Sequence, residues 1–319
     1  MVEALNEALR EEMRRDDSMI IMGEDVGVLG GLYRVTKGLM EEFGSDRVRD
    51  TPISEEGFVG ASIGLAITGF KPVVEIMYSD FLANCMNQIV NFAAKMRYMS
   101  RGQLKVPMVI RALIAHGRGH GGDHSQVPIN WFMGVPGLKI VAPSTPYDAK
   151  GILKASIRDE SPVLFFEPYI LYRVKGPVPE EEYLIPLGKA DIKKDGEDLT
   201  IVAISAMVPS ALLAAKALEE EGVNVEVIDP RTVVPLDKDT IIDSVKKTGK
   251  LVTVEHSHKR GGVGAEISSI IMEEAFDYLD APVLRVASPN IPVPVSPSLG
   301  KLTIPNTEDI ISTARKVIG

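Results

Sequence analysis

Two adjacent carboxylates, Glu55 and Glu56, stand in the segment of the sequence best suited to acid–base chemistry. The segment Asp50–Phe58 is predicted to join the end of a strand to the start of a helix, which is where α/β proteins place their ligands. Ser54 is suited to cap that helix. Taken alone, the segment favours an ordinary role, in which the carboxylates complement the positive end of the helix dipole. A catalytic carboxylate is the alternative.

The helix that follows these carboxylates is unusually rich in small residues. A glycine in a helix costs about 1 kcal/mol relative to alanine, so several glycines indicate a reason for their presence. Small side chains allow another backbone or a ligand to approach closely, and we therefore expect the carboxylate to lie at a tight interface. The small residues are Gly57, Gly60, Ala61, Ser62, Gly64, Ala66 and Gly69.

Three of the five histidines, His116, His120 and His124, follow a predicted buried strand at intervals of four. On a helix they would share one face and could bind a metal ion. The glycines between them argue against a helix and favour a mobile glycine-rich loop, a kind of segment that often carries function. Each histidine could have a purely structural role, but histidine transfers protons near neutral pH, so we expect at least one to act in catalysis.

Alternating strands and helices must position these residues, and they predict a parallel sheet covered on both faces. Apolar runs predict strands at Met19–Met22, Arg47–Arg49, Pro72–Ile76, Val106–Ile114, Ile140–Val141 and Val163–Phe166. Helical spacing predicts helices at the N-terminus and at Val35–Phe43, Glu55–Thr68, Leu82–Tyr98 and Tyr147–Ile157.

A proline-rich, charged segment, Gly176–Glu182, is typical of a linker. After it the alternation restarts, so we predict a first domain over residues 1–186 and a second, smaller α/β domain over 187–319. Its predicted strands are Leu199–Ile204, Val223–Ile228, Leu251–Glu255 and Val283–Val286. Its predicted helices are Val208–Glu221, Leu236–Lys247, Val263–Phe276 and Thr307–Val317.

Composition narrows the class of protein. The 319 residues carry a formal net charge of −9 without a strong basic stripe, which makes nucleic-acid binding a poor hypothesis. The single cysteine, Cys85, excludes an internal disulfide framework and a cysteine-rich zinc site. The N-terminus is acidic and amphipathic, unlike a signal or transit peptide. No apolar run approaches the ~20 residues of a membrane span, so we expect a cytoplasmic protein.

Five motifs in order along nearly the whole chain resemble the β subunits of thiamine-diphosphate-dependent 2-oxo acid dehydrogenases. The segment Phe165–Arg173 is most similar to the branched-chain members, whereas pyruvate and acetoin dehydrogenase β subunits share most of the other motifs. The five motifs are Gly23-Glu24-Asp25-Val26-Gly27, Asp50–Gly57, Gly122-x-His124-Ser125-Gln126, Pro136-Gly137-Leu138-Lys139 and Phe166-Glu167-Pro168.

The resemblance implies a pyrimidine-binding domain with a parallel sheet, followed by a transketolase-like C-terminal α/β domain. It implies a heterotetramer of two α and two β chains with thiamine diphosphate at each α–β interface. The α chain would hold magnesium and the diphosphate through a Gly-Asp-Gly motif, which this sequence lacks. The expected reaction is oxidative decarboxylation of a 2-oxo acid and reductive acylation of a lipoyl group on an acyltransferase, with activity only when the α chain is present.

The resemblance also assigns roles to particular residues. Glu55 matches the glutamate that hydrogen-bonds N1′ of the aminopyrimidine and promotes ionisation of the thiazolium carbon. Phe81 matches the aromatic residue stacked on the pyrimidine, Ile53 and Met77 match residues of the same pocket, and His124 matches the active-site histidine near the lipoyl entrance. A monovalent cation, usually potassium, is expected at the residues matching Met108, Ser156, Ile157, Asp159 and Ser161.

The sequence departs from the family pattern in two places, Val127–Trp131 and Ser288–Pro294. The first puts the local shape of the substrate site in doubt, and the second puts contacts with partner chains in doubt. Two other hypotheses stay open at this point. The chain could be a self-contained transketolase-type enzyme, which the missing Gly-Asp-Gly disfavours, or a scaffold without activity, which the combination of Glu55, Phe81 and His124 disfavours.

Overall fold

Buried strands that alternate with helices build the first of two units, and the computed structural model describes the whole chain, Met1–Gly319. This unit comprises Met1–Ala115 and Trp131–Leu187. Its strands lie in the order β5-β6-β4-β3-β1-β2, and all their pairs are parallel. They are β1 (Met19–Gly23), β2 (Val48–Asp50), β3 (Lys71–Ile76), β4 (Val109–Ile114), β5 (Lys139–Val141) and β6 (Val163–Pro168).

Six helices lie between residues 2 and 158, and the predicted cap Ser54 makes no side-chain hydrogen bond to the helix that begins at Glu55. They are α1 (Val2–Arg15), α2 (Leu39–Phe43), α3 (Glu55–Ile67), α4 (Met96–Met99), α5 (Ile129–Phe132) and α6 (Pro146–Arg158). The Thr145 hydroxyl accepts a hydrogen bond from the backbone N–H of Asp148 and so caps α6. Helices α1 and α6 pack together through Lys150 and Lys154, both 1% exposed, which pair with Glu11 at 2.7 and 2.6 Å.

The predicted single helix over Leu82–Tyr98 is wrong in its detail. The structure has a 3₁₀ turn at Ser79–Ala83, a π-helical segment at Gln88–Ala93 and then α4. In the π segment the backbone N–H of Ala94 donates to the carbonyl of Ile89, five residues back. The Ala94 carbonyl lies so close to Gly137 that a Cβ atom there would be 2.0 Å from it. The irregular helix therefore accommodates a close backbone approach from a distant part of the chain.

The second unit comprises His116–Asn130 and Gly188–Gly319. Its sheet has the order β12-β11-β8-β9-β7, parallel except for the antiparallel edge strand β7. The strands are β7 (Asp191–Lys194), β8 (Leu199–Ala203), β9 (Val225–Asp229), β10 (Thr232–Val234), β11 (Leu251–His258) and β12 (Leu284–Ser288). The helices are α7 (Val208–Glu220), α8 (Lys238–Thr248), α9 (Val263–Glu274), α10 (Pro297–Gly300) and α11 (Thr307–Ile318).

The predicted fold class is confirmed by these two sheets, each with helices between its strands. The core of the second unit lies where α7 and α11 cover β8, β9 and β11. Strand β7 was not predicted because its sequence, Asp-Ile-Lys-Lys, is polar, as is common for edge strands that must avoid pairing with other chains. No helix combines the length and apolarity needed to cross a lipid bilayer.

Candidate active site

The carboxyl ends of β1, β2 and β3 bring together the candidate residues of the first unit. Glu24 follows β1, and Asp50 ends β2 beside it in register with Gly23. The Asp50 carboxylate accepts hydrogen bonds from the backbone N–H groups of Gly27 at 2.6 Å and Val28 at 3.3 Å. A Cβ atom on Gly27 would lie 2.0 Å from Met40 Cε and 2.8 Å from that carboxylate, so a larger residue would have to displace these side chains. These bonds fix the loop that borders the predicted site.

Glu55 is the first residue of α3 and is only 6% exposed. Within this chain its carboxylate receives no hydrogen bond and pairs with no cation. Burial raises the pKa of Glu24, and the nearby Glu55 carboxylate adds to this effect. Burial also raises the pKa of the Cys85 thiol to about 12, again with a contribution from Glu55. Glu55 therefore has acceptor oxygens free for a ligand that brings an N–H group.

The three residues predicted to line the pyrimidine pocket lie at the same end of the sheet. Met77 directly follows β3 and is half-buried. Phe81 is half-buried on the adjoining 3₁₀ turn, where its ring meets Tyr78 edge to face with centroids 5.7 Å apart. Ile53 precedes α3 and is 84% exposed. These aromatic and aliphatic side chains could cover a flat heterocycle beside Glu55.

One face of α3 is open to solvent within this chain. Gly57, Ala61 and Gly64 are exposed along it, and no other residue lies within 4 Å of a Cβ atom built on Gly64. The Glu56 carboxylate is exposed and accepts a hydrogen bond from the Gln88 side chain at 3.1 Å. Glu55 and Glu56 therefore differ sharply in environment, and only Glu55 is buried toward the sheet.

A buried ionic cluster lies beneath this site, and sequence reasoning missed it. Arg111 on β4 donates from Nε and Nη2 to the two carboxylate oxygens of Glu167 on β6, at 2.7 and 2.8 Å. Its Nη1 donates to Glu75 on β3 at 2.6 Å. The Tyr172 hydroxyl donates to Glu167 at 2.6 Å. Glu167 and Tyr172 belong to the motif-bearing segment Phe165–Arg173, whereas Arg111 and Glu75 come from two other strands.

The electrostatics of this cluster follow from its burial. Arg111 is 2% exposed and Glu167 is 1% exposed. Both carboxylates raise the pKa of Arg111 above its usual value despite the opposing effect of burial. Burial raises the pKa of Glu75, and the Arg111 guanidinium opposes that rise. The cluster joins β3, β4 and β6. Its residue on β3, Glu75, stands two positions before the candidate pocket residue Met77 in the sequence.

The predicted monovalent-cation residues also gather in the first unit. The backbone N–H of Val163 donates to the Met108 carbonyl, and that of Asp159 donates to the Ser156 carbonyl. Ser156 and Ile157 end α6, where the last carbonyl groups of a helix lack helical partners. The Asp159 carboxylate pairs with Lys139 and accepts from the backbone N–H of Ser161. The Asp159 side chain is therefore already engaged by other groups of the chain.

His124 belongs to the second unit. Its Nδ1 lies 3.2 Å from a carboxylate oxygen of Asp123. This hydrogen bond lowers the pKa of Asp123. Residues 116–128 form no helix, so the prediction of a loop is confirmed. The His124 side chain is 35% exposed and can reach a ligand from this loop.

Comparison with known families defines the class of protein. Residues 1–175 match the family described as transketolase, pyrimidine binding domain, and residues 188–310 match transketolase, C-terminal domain. A solved structure named split gene transketolase, inactive beta4 tetramer, has a TM-score of 0.84 at 23% identity and covers 99% of this chain and 97% of that chain. The protein therefore has the transketolase-type pair of domains.

Closer relatives narrow this class. Pyruvate dehydrogenase E1 component subunit beta-1 of Arabidopsis thaliana is 47% identical over 98% of this chain and 88% of its own length. Two proteins of Bacillus subtilis each match over 97% of their own length. Acetoin:2,6-dichlorophenolindophenol oxidoreductase subunit beta is 43% identical over 100% of this chain. The 2-oxoisovalerate dehydrogenase subunit beta is 44% identical over 99% of this chain. The chain belongs to the family of β subunits of thiamine-diphosphate-dependent 2-oxo acid dehydrogenases.

Proposed function

We propose that this chain forms half of each active site in a heterotetramer of two α and two β chains. The complex would decarboxylate a 2-oxo acid oxidatively and transfer the acyl group to a lipoyl group of an acyltransferase. The observation that carries the proposal is Glu55, buried at the carboxyl end of a parallel sheet without a donor from its own chain. Residues 1–186 would form the pyrimidine-binding domain and 187–319 the C-terminal domain.

The residues around Glu55 fit the aminopyrimidine of thiamine diphosphate. When bound, the cofactor supplies a nucleophilic carbon and an electron sink for decarboxylation. The Glu55 carboxylate would share a proton with the ring nitrogen N1′, which satisfies a group that otherwise has no partner. Phe81 would stack on the ring, and Ile53 and Met77 would line its edge. Together they would exclude water from the shared proton.

The α chain would complete this site from the open face of α3. Gly57, Ala61 and Gly64 leave that face flat enough for another backbone to approach, and the 84% exposed Ile53 lies just before the helix. The sequence lacks a Gly-Asp-Gly motif, so magnesium and the diphosphate would be held by the α chain. Activity would therefore require both chains, and a turnover measured with this chain alone would contradict the half-site proposal.

His124 would act at the second half of the reaction. Its imidazole can orient or protonate groups of the intermediate as the acyl unit passes to the lipoyl sulfur. Exposure of about a third of the side chain allows contact with an incoming lipoyl group. The lipoyl acyltransferase is thus the second protein partner in the proposal.

A monovalent cation such as potassium would bind at Met108, Ser156, Ile157, Asp159 and Ser161. The carboxyl end of α6 offers backbone carbonyl oxygens and the negative end of a helix dipole. Lys139 already neutralises Asp159, so backbone oxygens would supply most of the ligands. Dialysis of the complex against sodium, potassium or a large organic cation, followed by thermal unfolding, would test this assignment.

Branched-chain 2-oxo acids are the proposed substrates, with pyruvate and acetoin as alternatives. The segment Phe165–Arg173 supports the branched-chain choice, although its Glu167 binds Arg111 in the core and its Tyr172 donates a hydrogen bond to Glu167. Relatives named for all three substrates match at 43–47% identity. Decarboxylation of a panel of 2-oxo acids and oxidation of acetoin by the α–β complex, each with an artificial electron acceptor, would identify the substrate.

Glu55→Gln tests the central assignment, with Glu56→Gln as the matched control. The amide cannot accept the shared proton, so we expect turnover to fall by about 10²–10⁴-fold, the usual contribution of a positioned acid or base. Glu56 is exposed and its amide would still accept the Gln88 hydrogen bond, so its variant should stay within about twofold of wild type. Assembly with the α chain should be unchanged in both. Near-normal turnover of Glu55→Gln would refute the role.

A further inference from the structure

The loop that carries His124 packs closely on a later segment of the second unit. A Cβ atom built on Gly119 would lie 3.2 Å from the Val295 carbonyl oxygen, and one on Gly121 would lie 3.1 Å from Val295 Cγ2. A Cβ atom on Gly122 would lie 3.3 Å from Pro292. Pro292 belongs to the stretch Ser288–Pro294 that departs from the family pattern.

A buried polar contact anchors the start of the same loop. The Thr303 hydroxyl donates a hydrogen bond to the Gly300 carbonyl at 2.7 Å. The hydroxyl proton of Thr303 is used in that bond. The Thr303 oxygen therefore accepts a second hydrogen bond, at 3.1 Å, from His116 Nε2–H. His116 is 4% exposed and Thr303 is 1% exposed. A buried hydrogen bond of this kind restrains the orientation of the His116 ring.

The ring of another histidine, His256, is stacked near the His116 ring. The ring of His256 on β11 lies 6.3 Å away, centroid to centroid, at an interplanar angle of 26°. His116 is thus fixed by the sheet of the second unit and by the turn that contains Thr303. His124 lies eight residues after His116 in the chain. Between these two histidines, Gly117, Gly119 and Gly121 have left-handed φ angles.

We propose that Thr303 is a positioning residue, which through His116 holds the loop 116–126 in place and so sets the position of His124. The inference rests on the role proposed above for His124. Val295 would assist by packing against Gly121. Thr303 itself would touch neither cofactor nor substrate, so its effect would be confined to the geometry of the loop.

Thr303→Val and Thr303→Ser, each in the complex with the α chain, separate this role from a general structural one. Valine has nearly the shape of threonine but strands the buried His116 N–H, whereas serine keeps the hydroxyl. We expect Thr303→Val to increase tryptic cleavage after Arg118 by about tenfold, because the stranded donor favours opening of the loop. We expect a fall of about tenfold in kcat for acyl transfer to a lipoylated domain, with the KM for the 2-oxo acid unchanged. Thr303→Ser should restore both values.

Val295→Ala is a milder second variant that alters packing without stranding a polar group. It should change cleavage and lipoyl turnover in the same direction by about twofold to threefold. Wild-type cleavage and lipoyl turnover in Thr303→Val would overturn the inference, as would faster cleavage with normal lipoyl turnover. Failure of the proposed function would look different, since His124→Asn would then keep wild-type lipoyl turnover while Thr303→Val still opened the loop.

Discussion

Replacing Arg111 by methionine tests how far the buried ionic cluster supports the floor of the candidate site. Methionine fills much of the same volume but donates no hydrogen bonds. The change removes two bonds to Glu167 and one to Glu75, all between 2.6 and 2.8 Å. It also leaves the Glu167 carboxylate, 1% exposed, without its cation. The expected effect is therefore the cost of an uncompensated buried charge rather than of a cavity.

The magnitude follows from that distinction. Removing one partner of a buried ion pair typically costs 3–5 kcal/mol, so we expect the free energy of unfolding to fall by about 4 kcal/mol. Lysine at the same position keeps the charge but cannot bind Glu167 in the two-point manner of arginine. Arg111→Lys should therefore cost about half as much. Urea unfolding of the α–β complex at fixed protein concentration measures both values.

The cost should also depend on pH in a defined direction. Burial already raises the pKa of Glu75, and the Arg111 guanidinium opposes that rise. Without the guanidinium, the folded-state pKa of Glu75 moves further above its unfolded value. Stability from a carboxyl of this kind is present below the unfolded pKa and is lost as pH rises through the folded pKa. The penalty of Arg111→Met should thus be larger at pH 8 than at pH 5.

A second substitution identifies the origin of the penalty. Glu75→Gln in the Arg111→Met background removes one of the two stranded charges, so it should recover at least about 1 kcal/mol and weaken the pH dependence. A cost below about 1 kcal/mol for Arg111→Met, or a penalty that is equal at both pH values, would refute the reasoning. The cluster would then be a passive part of the core.

Two further perturbations have expected outcomes set by local geometry. Gly137→Ala should lower the free energy of unfolding in urea by about 3 kcal/mol, because its Cβ would lie 2.0 Å from the Ala94 carbonyl oxygen at a φ of +90°. Gly44→Ala is the control, since Gly44 has a similar φ of +82° but lies in open space. It should cost about 1 kcal/mol. Burial lowers the pKa of His256 to about 3, so its contribution to stability is lost as pH falls from about 6.5 toward 3. Each protein's free energy of unfolding is compared with its own value at pH 7.5. Between pH 4 and 6, the slope of this free energy against pH should be smaller in His256→Phe than in wild type by about 1.4 kcal/mol per pH unit. Equal costs for the two glycine variants, or an unchanged pH slope for His256→Phe, would contradict these expectations.

Local patterns in the sequence were sufficient to predict most strands and the start of α3. Buried strands such as β8 consist of continuous apolar residues, and Ser54 followed by two glutamates marks a helix N-terminus wherever it occurs. These signals depend only on residues that are close together in the sequence, so they can be read without knowledge of the tertiary structure. The location of Glu55 at the end of a strand-to-helix connection was predicted for this reason.

Features that depend on register between strands could not be predicted in the same way. Glu167 was recognisable within a motif, but nothing near it indicates that Arg111 lies on the adjacent strand or that Glu75 lies on the strand beyond. Likewise, the π-helical segment at Gln88–Ala93 adapts to Gly137, which approaches from a distant connection. Each of these arrangements is decided by which strands become neighbours.

The glycines around His124 show what composition alone leaves open. Four glycines between and beside three histidines predicted a mobile loop, because glycine has the greatest backbone freedom. In the structure Gly117, Gly119 and Gly121 adopt left-handed φ angles that other residues rarely reach, and their missing side chains admit the later segment of the chain. The glycines thus permit one specific packed conformation. The residue that anchors it, Thr303, lies 187 positions beyond its partner His116, so only the folded chain reveals what positions the histidine.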